Sequence, residues 1–462
     1  MSDYTQYLSP FSWRYASQEM RQIWSEANKR RLWRHVWLSL AEVQSNYGLV
    51  SENQLADLRN HVQEIDIRLS LEFEASLHHD LMAELKAYAS QSPIGGGSLH
   101  LGATSMDIED NAEAIRLRQS VRLIISRLSA LLKIFTVRIT ELIDLPCIAF
   151  THLQPAEPTT YGVRLAFYAQ DLLEDYQALA AFLPAIRGKG FKGSVGTSAA
   201  YAELIGRQNL ANFEATLSKK LDLPFYSITS QTYPRRQEYS LLNLLASVAL
   251  TLNKFAFDVR VLQSPQVGEL SEPFGRSQVG SSAMPFKRNP IQSEKINSLS
   301  RSLAQAPLIA WHNAAHSLLE RTLDDSANRR SLIPEAFLAL DEILLTAIKL
   351  VEGFQIHPSA IQRNLETYAP FASTERLLMT LARAGADRQE MHEIIREHSQ
   401  IAWQAIQSGS PNPLVERLVT ENRFQAYLPP DEIRSLLNIH DYLGDAPDRA
   451  RLLAEKITTV LA

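Results

Sequence analysis

From Ala112 to Leu145 the chain contains neither glycine nor proline, and Val121, Ile125, Leu128, Leu132, Phe135, Ile139 and Leu142 recur at alternating spacings of four and three. That period draws one apolar stripe along a single long helix. The same spacing returns between Arg236 and Gln263 in Leu241, Leu245, Val248, Leu252, Phe255, Val259 and Leu262. Two further stretches, Thr159 to Leu183 and Leu308 to Ile333, complete the pattern. Helices of this length are stable when several lie side by side and bury their stripes against one another. Alternating β-branched runs bounded by turn residues are scarce, so the expected fold class is all-α, built on a central bundle of long helices. Such a bundle carries apolar surface on more than one side. An oligomer formed through it is therefore expected.

A chain of 462 residues exceeds one compact core, so two or three domains are expected. Hydrophobic residues at 45% and charged ones at 21% describe a globular protein rather than a disordered one. A net charge of −5 gives no global field to collect nucleic acid or anionic lipid, so neither partner is expected and any anion site is local. The single cysteine, Cys147, excludes an intramolecular disulfide and a cysteine-based zinc site, and its apolar neighbours predict that it is buried. The N-terminal stretch MSDYTQYLSPFSWRY lacks the apolar core of a signal peptide, and no run of about 18 apolar residues is found. A cytoplasmic location is the expectation.

Three consecutive glycines in QSPIGGGSLHLGATS, residues 91–105, interrupt a helical N-terminal region. After Gln355 the pattern loosens into shorter amphipathic helices separated by HPSA, GAD, SGSPNP and LPPDE. The expected division is an N-terminal helical domain 1–111, a central long-helix bundle 112–355 and a C-terminal helical domain 356–462.

The interval from Ser264 to Pro290 holds Pro265, Gly268, Pro273, Gly275, Gly280, Pro285 and Pro290 between two long helices. A connection of roughly 27 residues inside a compact bundle is uncommon and usually functional. Within it Gly280 precedes two serines, and Lys287, Arg288 and Asn289 precede a helix start near Pro290. Backbone donors at a helix start, a lysine and an asparagine amide together suit a carboxylate, although a solvated basic loop has the same composition. Histidines form a second group: His152 in a turn ahead of a helix expected to open at Pro158, His79 after His78, and His100 after the glycine run. Junctions at one end of parallel helices converge in space. These three histidines lack metal-ligand spacing, so no metal is expected.

The segment GSSAMPFKRNP, residues 280–290, resembles the signature loop of the fumarase/aspartase superfamily, GSSxMPxKxNP, with every fixed position present. THLQPAEPTTYG and LHLGATSMDIEDNA are similar to two other conserved regions of that superfamily, and RRQEY, MPFKRNP and RTLDDSANRR resemble its adenylosuccinate branch. The resemblance spans nearly the whole chain and implies a three-domain helical fold without cofactor. It implies a lyase that cleaves the C–N bond of adenylosuccinate to AMP and fumarate by general acid/base β-elimination, and treats succinylated aminoimidazole carboxamide ribotide (SAICAR to AICAR) likewise, in purine nucleotide biosynthesis. It further implies a homotetramer whose active sites draw on three subunits.

Carried over residue by residue, the resemblance makes Ser281 the general base, with Ser282 beside it, and His152 the general acid, with Thr151 next to it as a substrate contact. His79 assists His152 or binds phosphate. His100, Thr104 and Ser105 contact phosphate or carboxylate, Lys287 and Asn289 hold the succinyl carboxylate, and Glu294 orients the acid or a water. Arg14 and Tyr15 match a pair that grips the nucleotide phosphate, while Gln231, Arg321, Ser326 and Arg330 match further substrate contacts. The chain departs from the bacterial pattern at Asp325, which stands where a histidine would be. An argininosuccinate lyase or a carboxymuconate cycloisomerase would use the same loop on another leaving group, and the Arg14–Tyr15 pair argues against both. A structural helical protein with a retired site is the non-enzymatic alternative, which intact Ser281, His152, Lys287 and Asn289 disfavour.

Overall fold

Most of the length of the periodic stretches is helical in the computed structural model, which describes residues 5–275, 277–439 and 442–462; the first four residues of the N-terminal stretch lie outside it. The helices that bear on function are α1 (Glu26–Ser45), α2 (Asp80–Gln91), α3 (Ser105–Leu142), α4 (Tyr161–Phe182), α5 (Arg236–Gln263), α6 (Ile291–Leu303), α7 (Ala306–Ala315), α8 (Ser326–Gly353), α9 (Pro358–Ala372), α10 (Thr374–Arg383) and α11 (Arg388–Gln407). The strands are β1 (Pro146–Thr151), β2 (Gln154–Thr160), β3 (Leu270–Ser271) and β4 (Gln355–Ile356).

Helix α5 has the bounds its period predicts, and all seven of its stripe residues are buried. It is apolar enough to cross a membrane by composition, yet half of its apolar window is buried inside the protein, as a core helix requires. Helix α3 starts earlier than expected. The amide of Thr104 donates to Asp107 Oδ2 at 3.1 Å, a polar cap that adds a turn ahead of the apolar stripe. On that stripe Ile124 is fully buried, where Ile125 was expected.

Two expectations fail. The stretch from Leu308 to Ile333 is not one helix: α7 ends at Ala315 and α8 begins at Ser326, because Arg321 and Asp325 between them turn inward to a buried ion network described below. Pro158 does not open a helix but lies in β2, paired opposite Ile148 in an antiparallel hairpin, and α4 begins at Tyr161. Proline is tolerated there because a two-stranded ladder with a bulge leaves positions that need no donor.

By contacts the chain divides into two units. Unit 1 comprises Met1–Leu128, Asp175–Leu250 and Ser298–Leu345; unit 2 comprises Ser129–Glu174, Thr251–Asn297 and Thr346–Ala462. Helices α3, α4, α5 and α8 contribute residues to both. In unit 1, Trp24 stacks on Phe337 of α8 with ring centroids 5.5 Å apart. In unit 2, Phe255 of α5 meets Phe135 of α3 at 5.6 Å and Tyr168 of α4 at 5.1 Å. Each fully buried ring of this kind contributes about 2–3 kcal/mol through burial. A separate apolar cluster, including Leu377, Leu381, Ile394, Leu414 and Phe424, holds the C-terminal helices together.

Candidate active site

In unit 1 the sequence candidates gather at the start of α3. His79 is the N-cap of α2, accepting the Met82 amide at Nδ1 over 3.5 Å, and its Nε2 lies 3.4 Å from Ser105 Oγ. His100 accepts the indole N–H of Trp37 at Nδ1 over 2.9 Å. Burial, helped by His79 and opposed by Asp107, pushes its pKa below the usual histidine value. A neutral ring that accepts at Nδ1 carries its proton on Nε2, so His100 presents a neutral donor. Thr104 and Ser105 stand at the amino end of a 38-residue helix, where unpaired amides favour an anion.

Asp107 holds this corner together, and sequence reasoning missed it. It forms an ion pair with Lys189 and accepts the Tyr201 hydroxyl at 3.2 Å and the Gly193 amide at 3.2 Å. Nothing in the apolar period announces such a hub.

The remaining unit 1 candidates lie along α8 and the loop before it. Arg330 donates to Asp80 Oδ2 at 2.8 Å, which ties α8 to the first residue of α2 beside His79. Gln231 bonds through its amide to the Glu320 carbonyl at 3.2 Å, next to Arg321. Arg321 donates to Asp325 Oδ1 at 2.8 Å, and Arg235 donates to Asp325 Oδ2 at 2.8 Å and to Asp110 at 3.0 Å. Burial would raise the Asp325 pKa, but Arg235, Arg329 and Arg321 outweigh it and hold the carboxyl below its usual range. Asp325 is therefore a buried anion that organises arginines. Arg321, Ser326 and Arg330 line a cavity of about 150 Å³ together with Asp80 and Glu109. Burial, reinforced by Asp80 and Asp110, pushes the Glu109 carboxyl up to about 8. Arg14 and Tyr15 follow a single helical turn, and the chain beyond them is pinned to α8, the Ala16 amide donating to Glu342 at 2.9 Å and the Ser17 amide to Asp341 at 2.6 Å.

Unit 2 carries the other candidates. Thr151 and Gln154 pair across the hairpin, so His152 and Leu153 are its two-residue turn. Both have positive φ, 54° and 59°, which is the backbone of a type I′ turn without the glycine or asparagine that usually fills it. His152 is thus held, exposed, at a strained tip.

The signature loop leaves β3, which pairs with β4, and ends at α6, whose first amides are capped by Glu272: Ser293 donates to it at 2.7 Å and Gln292 at 3.0 Å. Ser281 Oγ accepts the amides of Met284 at 3.1 Å and Ala283 at 3.4 Å. Asn289 closes the loop by donating to the Gly280 carbonyl at 3.1 Å. A Cβ at Gly280 would lie 2.1 Å from the Lys287 carbonyl oxygen, so only glycine fits there. Ser282 and Lys287 are exposed, as is Glu294 on the first turn of α6. Among the described residues no hydrogen bond or ion pair joins His152 to this loop.

The family model described as Lyase matches residues 18–304, and the one described as Adenylosuccinate lyase C-terminus matches residues 370–451. The chain is 35% identical to the adenylosuccinate lyase of Schizosaccharomyces pombe, over 99% of the chain and 95% of that protein. It is 33% identical to the adenylosuccinate lyase of Archaeoglobus fulgidus, over 98% of the chain and 99% of that protein. Among solved structures, the 3-carboxy-cis,cis-muconate lactonizing enzyme of Pseudomonas putida superposes with a TM-score of 0.87 at 24% identity, covering 97% of this chain and 99% of that one. At that identity the likeness is one of fold.

Proposed function

The chain belongs to the adenylosuccinate lyase family and cleaves adenylosuccinate with release of fumarate in purine biosynthesis, and from that premise we propose how its side chains share the work. Ser281 removes the proton from the carbon beside the succinyl carboxylate. The electrons of that C–H bond form the double bond of fumarate, the C–N bond breaks toward nitrogen, and His152 protonates the departing amine. The observation that carries this reading is the pair of amides on Ser281 Oγ inside a complete signature loop, because two fixed donors favour the alkoxide that a serine base needs. Lys287 sets its charge against the carboxylate on which negative charge develops. Asn289 keeps the loop closed on itself and offers its remaining donor to the same group, and Ser282 and Glu294 orient carboxylate and water at the loop's two ends. Thr151 bonds the substrate beside the acid.

On the nucleotide side, Arg14, Tyr15, Arg321, Ser326 and Arg330 take the phosphate, with Gln231, His100, Thr104 and Ser105 as neutral donors and His79 between phosphate and acid. SAICAR, which carries the same N-succinyl group, is the second substrate. The candidates fall on both units, and apolar side chains stand exposed on the long helices, Phe167 on α4 and Phe257 on α5 among them. Both facts support a homotetramer with shared sites. In this reading segments 1–111 and 112–355 supply the substrate-binding and catalytic residues and segment 356–462 supports the hairpin. The single, buried Cys147 suits a cytoplasmic enzyme.

The test is fumarate release from adenylosuccinate, SAICAR, argininosuccinate and aspartate in parallel. Turnover confined to the first two is expected. Release from argininosuccinate or aspartate alone would overturn the assignment.

A further inference from the structure

A cavity of about 700 Å³ lies in unit 2 against the β1–β2 hairpin and shares only Thr151 with the residues assigned above. Its floor is a flaw in the hairpin ladder. Ile148 pairs with Pro158 and Phe150 with Pro155, so Ala156 and Glu157 together oppose the single residue Ala149, and all three line the cavity. Bulges of this kind re-aim side chains and recur beside functional sites. The facing wall is aromatic. Trp403 of α11 packs edge-on to Phe371 of α9 at 5.5 Å and lies 6.2 Å from Tyr368, and all three rings stay partly exposed to the cavity instead of being sealed in the core.

Charge then selects the ligand. Glu157 and Glu375 are the charged side chains that line the cavity, and no lysine, arginine or histidine lines it with them, Arg376 lining a separate pocket with Glu375 and Tyr442. The Tyr442 hydroxyl donates to Glu375 at 3.1 Å and fixes one edge of its carboxylate. A nucleotide or another anion would be repelled. Three aromatic rings with two carboxylates form the environment that attracts an alkylated ammonium, whose diffuse charge is weakly hydrated and stacks on aromatic rings. The volume suits a small molecule.

We propose that this cavity binds a small organic cation of the quaternary or alkyl ammonium class between Tyr368, Phe371 and Trp403 and the carboxylates of Glu157 and Glu375, and that its occupation steadies the hairpin that ends at His152. The hairpin needs such support. It has two strands, three prolines, a bulge and a strained two-residue turn, and a ligand wedged under the bulge favours one setting of the tip. The effect on turnover rests on the proposed role of His152; binding does not.

The probes are choline and its uncharged isostere 3,3-dimethylbutan-1-ol, titrated calorimetrically into the intact enzyme at matched ionic strength, with turnover of adenylosuccinate followed alongside. Choline is expected to bind saturably and about tenfold more tightly than the alcohol. The Glu157→Gln, Glu375→Gln double variant loses that difference while keeping wild-type turnover without ligand, and Trp403→Leu weakens both ligands. Saturating choline changes kcat in the wild type and not in the double variant. No saturable choline binding, or equal affinity for the two probes, overturns the cation site, and binding that leaves kcat unchanged overturns the coupling to the hairpin. Should His152→Ala retain turnover, the role of His152 falls while choline binding stands.

Discussion

At Asp325 a carboxylate meets three guanidinium groups, those of Arg321 and Arg235 at 2.8 Å and of Arg329 at 4.0 Å. Removing it strands buried positive charge, so Asp325→Ala should cost about 3–5 kcal/mol, read as a lower midpoint of thermal unfolding. Its depressed pKa fixes the sign of the pH effect. The stabilisation is complete above the ordinary carboxylate range and is lost as pH falls through the lower folded value, because the unfolded chain then binds the proton more readily. Asp325→Asn should therefore unfold at a lower temperature at pH 7 and lose less on acidification than the wild type. Ser281 and His152 touch no such network, and their loss is expected in rate: Ser281→Ala and His152→Ala should each lower kcat by about 10²–10⁴-fold while substrate binding stays measurable by calorimetry. Near-normal kcat in either variant would remove that residue from the mechanism. Both residues are proposed from the motifs that carry them. The bond from Arg235 to Asp325 was not legible in the sequence, because the two residues are 90 positions apart along the chain and only packing brings them together.

Elements differ in how far their sequence announces them. Helix α5 could be drawn from its apolar period alone, since a stripe buried along its whole length leaves the same mark at every turn. The hairpin left none. Its turn is His152–Leu153 rather than a glycine or asparagine pair, and its strands carry prolines, so it folds against local preference and is held by packing on α9. In the signature loop the glycine at position 280 is a steric requirement. Gly280→Ala would drive a methyl group into the Lys287 carbonyl and open the loop around Ser281. A displacement of about 1 Å at the reacting group costs roughly 10²-fold in rate, so kcat should fall by that order. The thermal midpoint should stay close to the wild type, because the loop is exposed and buries little. A collapse of stability with unchanged kcat per folded enzyme would show the glycine to be structural instead.

For the whole molecule, the fall of the candidate residues on two units and the exposed apolar residues on the long helices bear on one prediction. If each site takes its base and its acid from different subunits, mixing Ser281→Ala with His152→Ala tetramers should restore activity, up to about one quarter of the wild-type level for random assortment. Light scattering should give a tetramer mass for both parents. Mixtures that remain inactive after verified subunit exchange would place acid and base on one chain. The sequence by itself determined the helical class, the α5 core helix, the signature loop and the reaction it implies, because apolar period and short motifs are local and leave their record residue by residue. Only the tertiary structure decided where α3 begins, that His152 rides a strained hairpin, that Asp325 is a buried anion and that a bulge opens onto an aromatic, acidic cavity. Apart from the local cap that starts α3, each of those depends on side chains meeting across long sequence separations, and the free energy of such meetings is set by burial and geometry that no linear pattern carries.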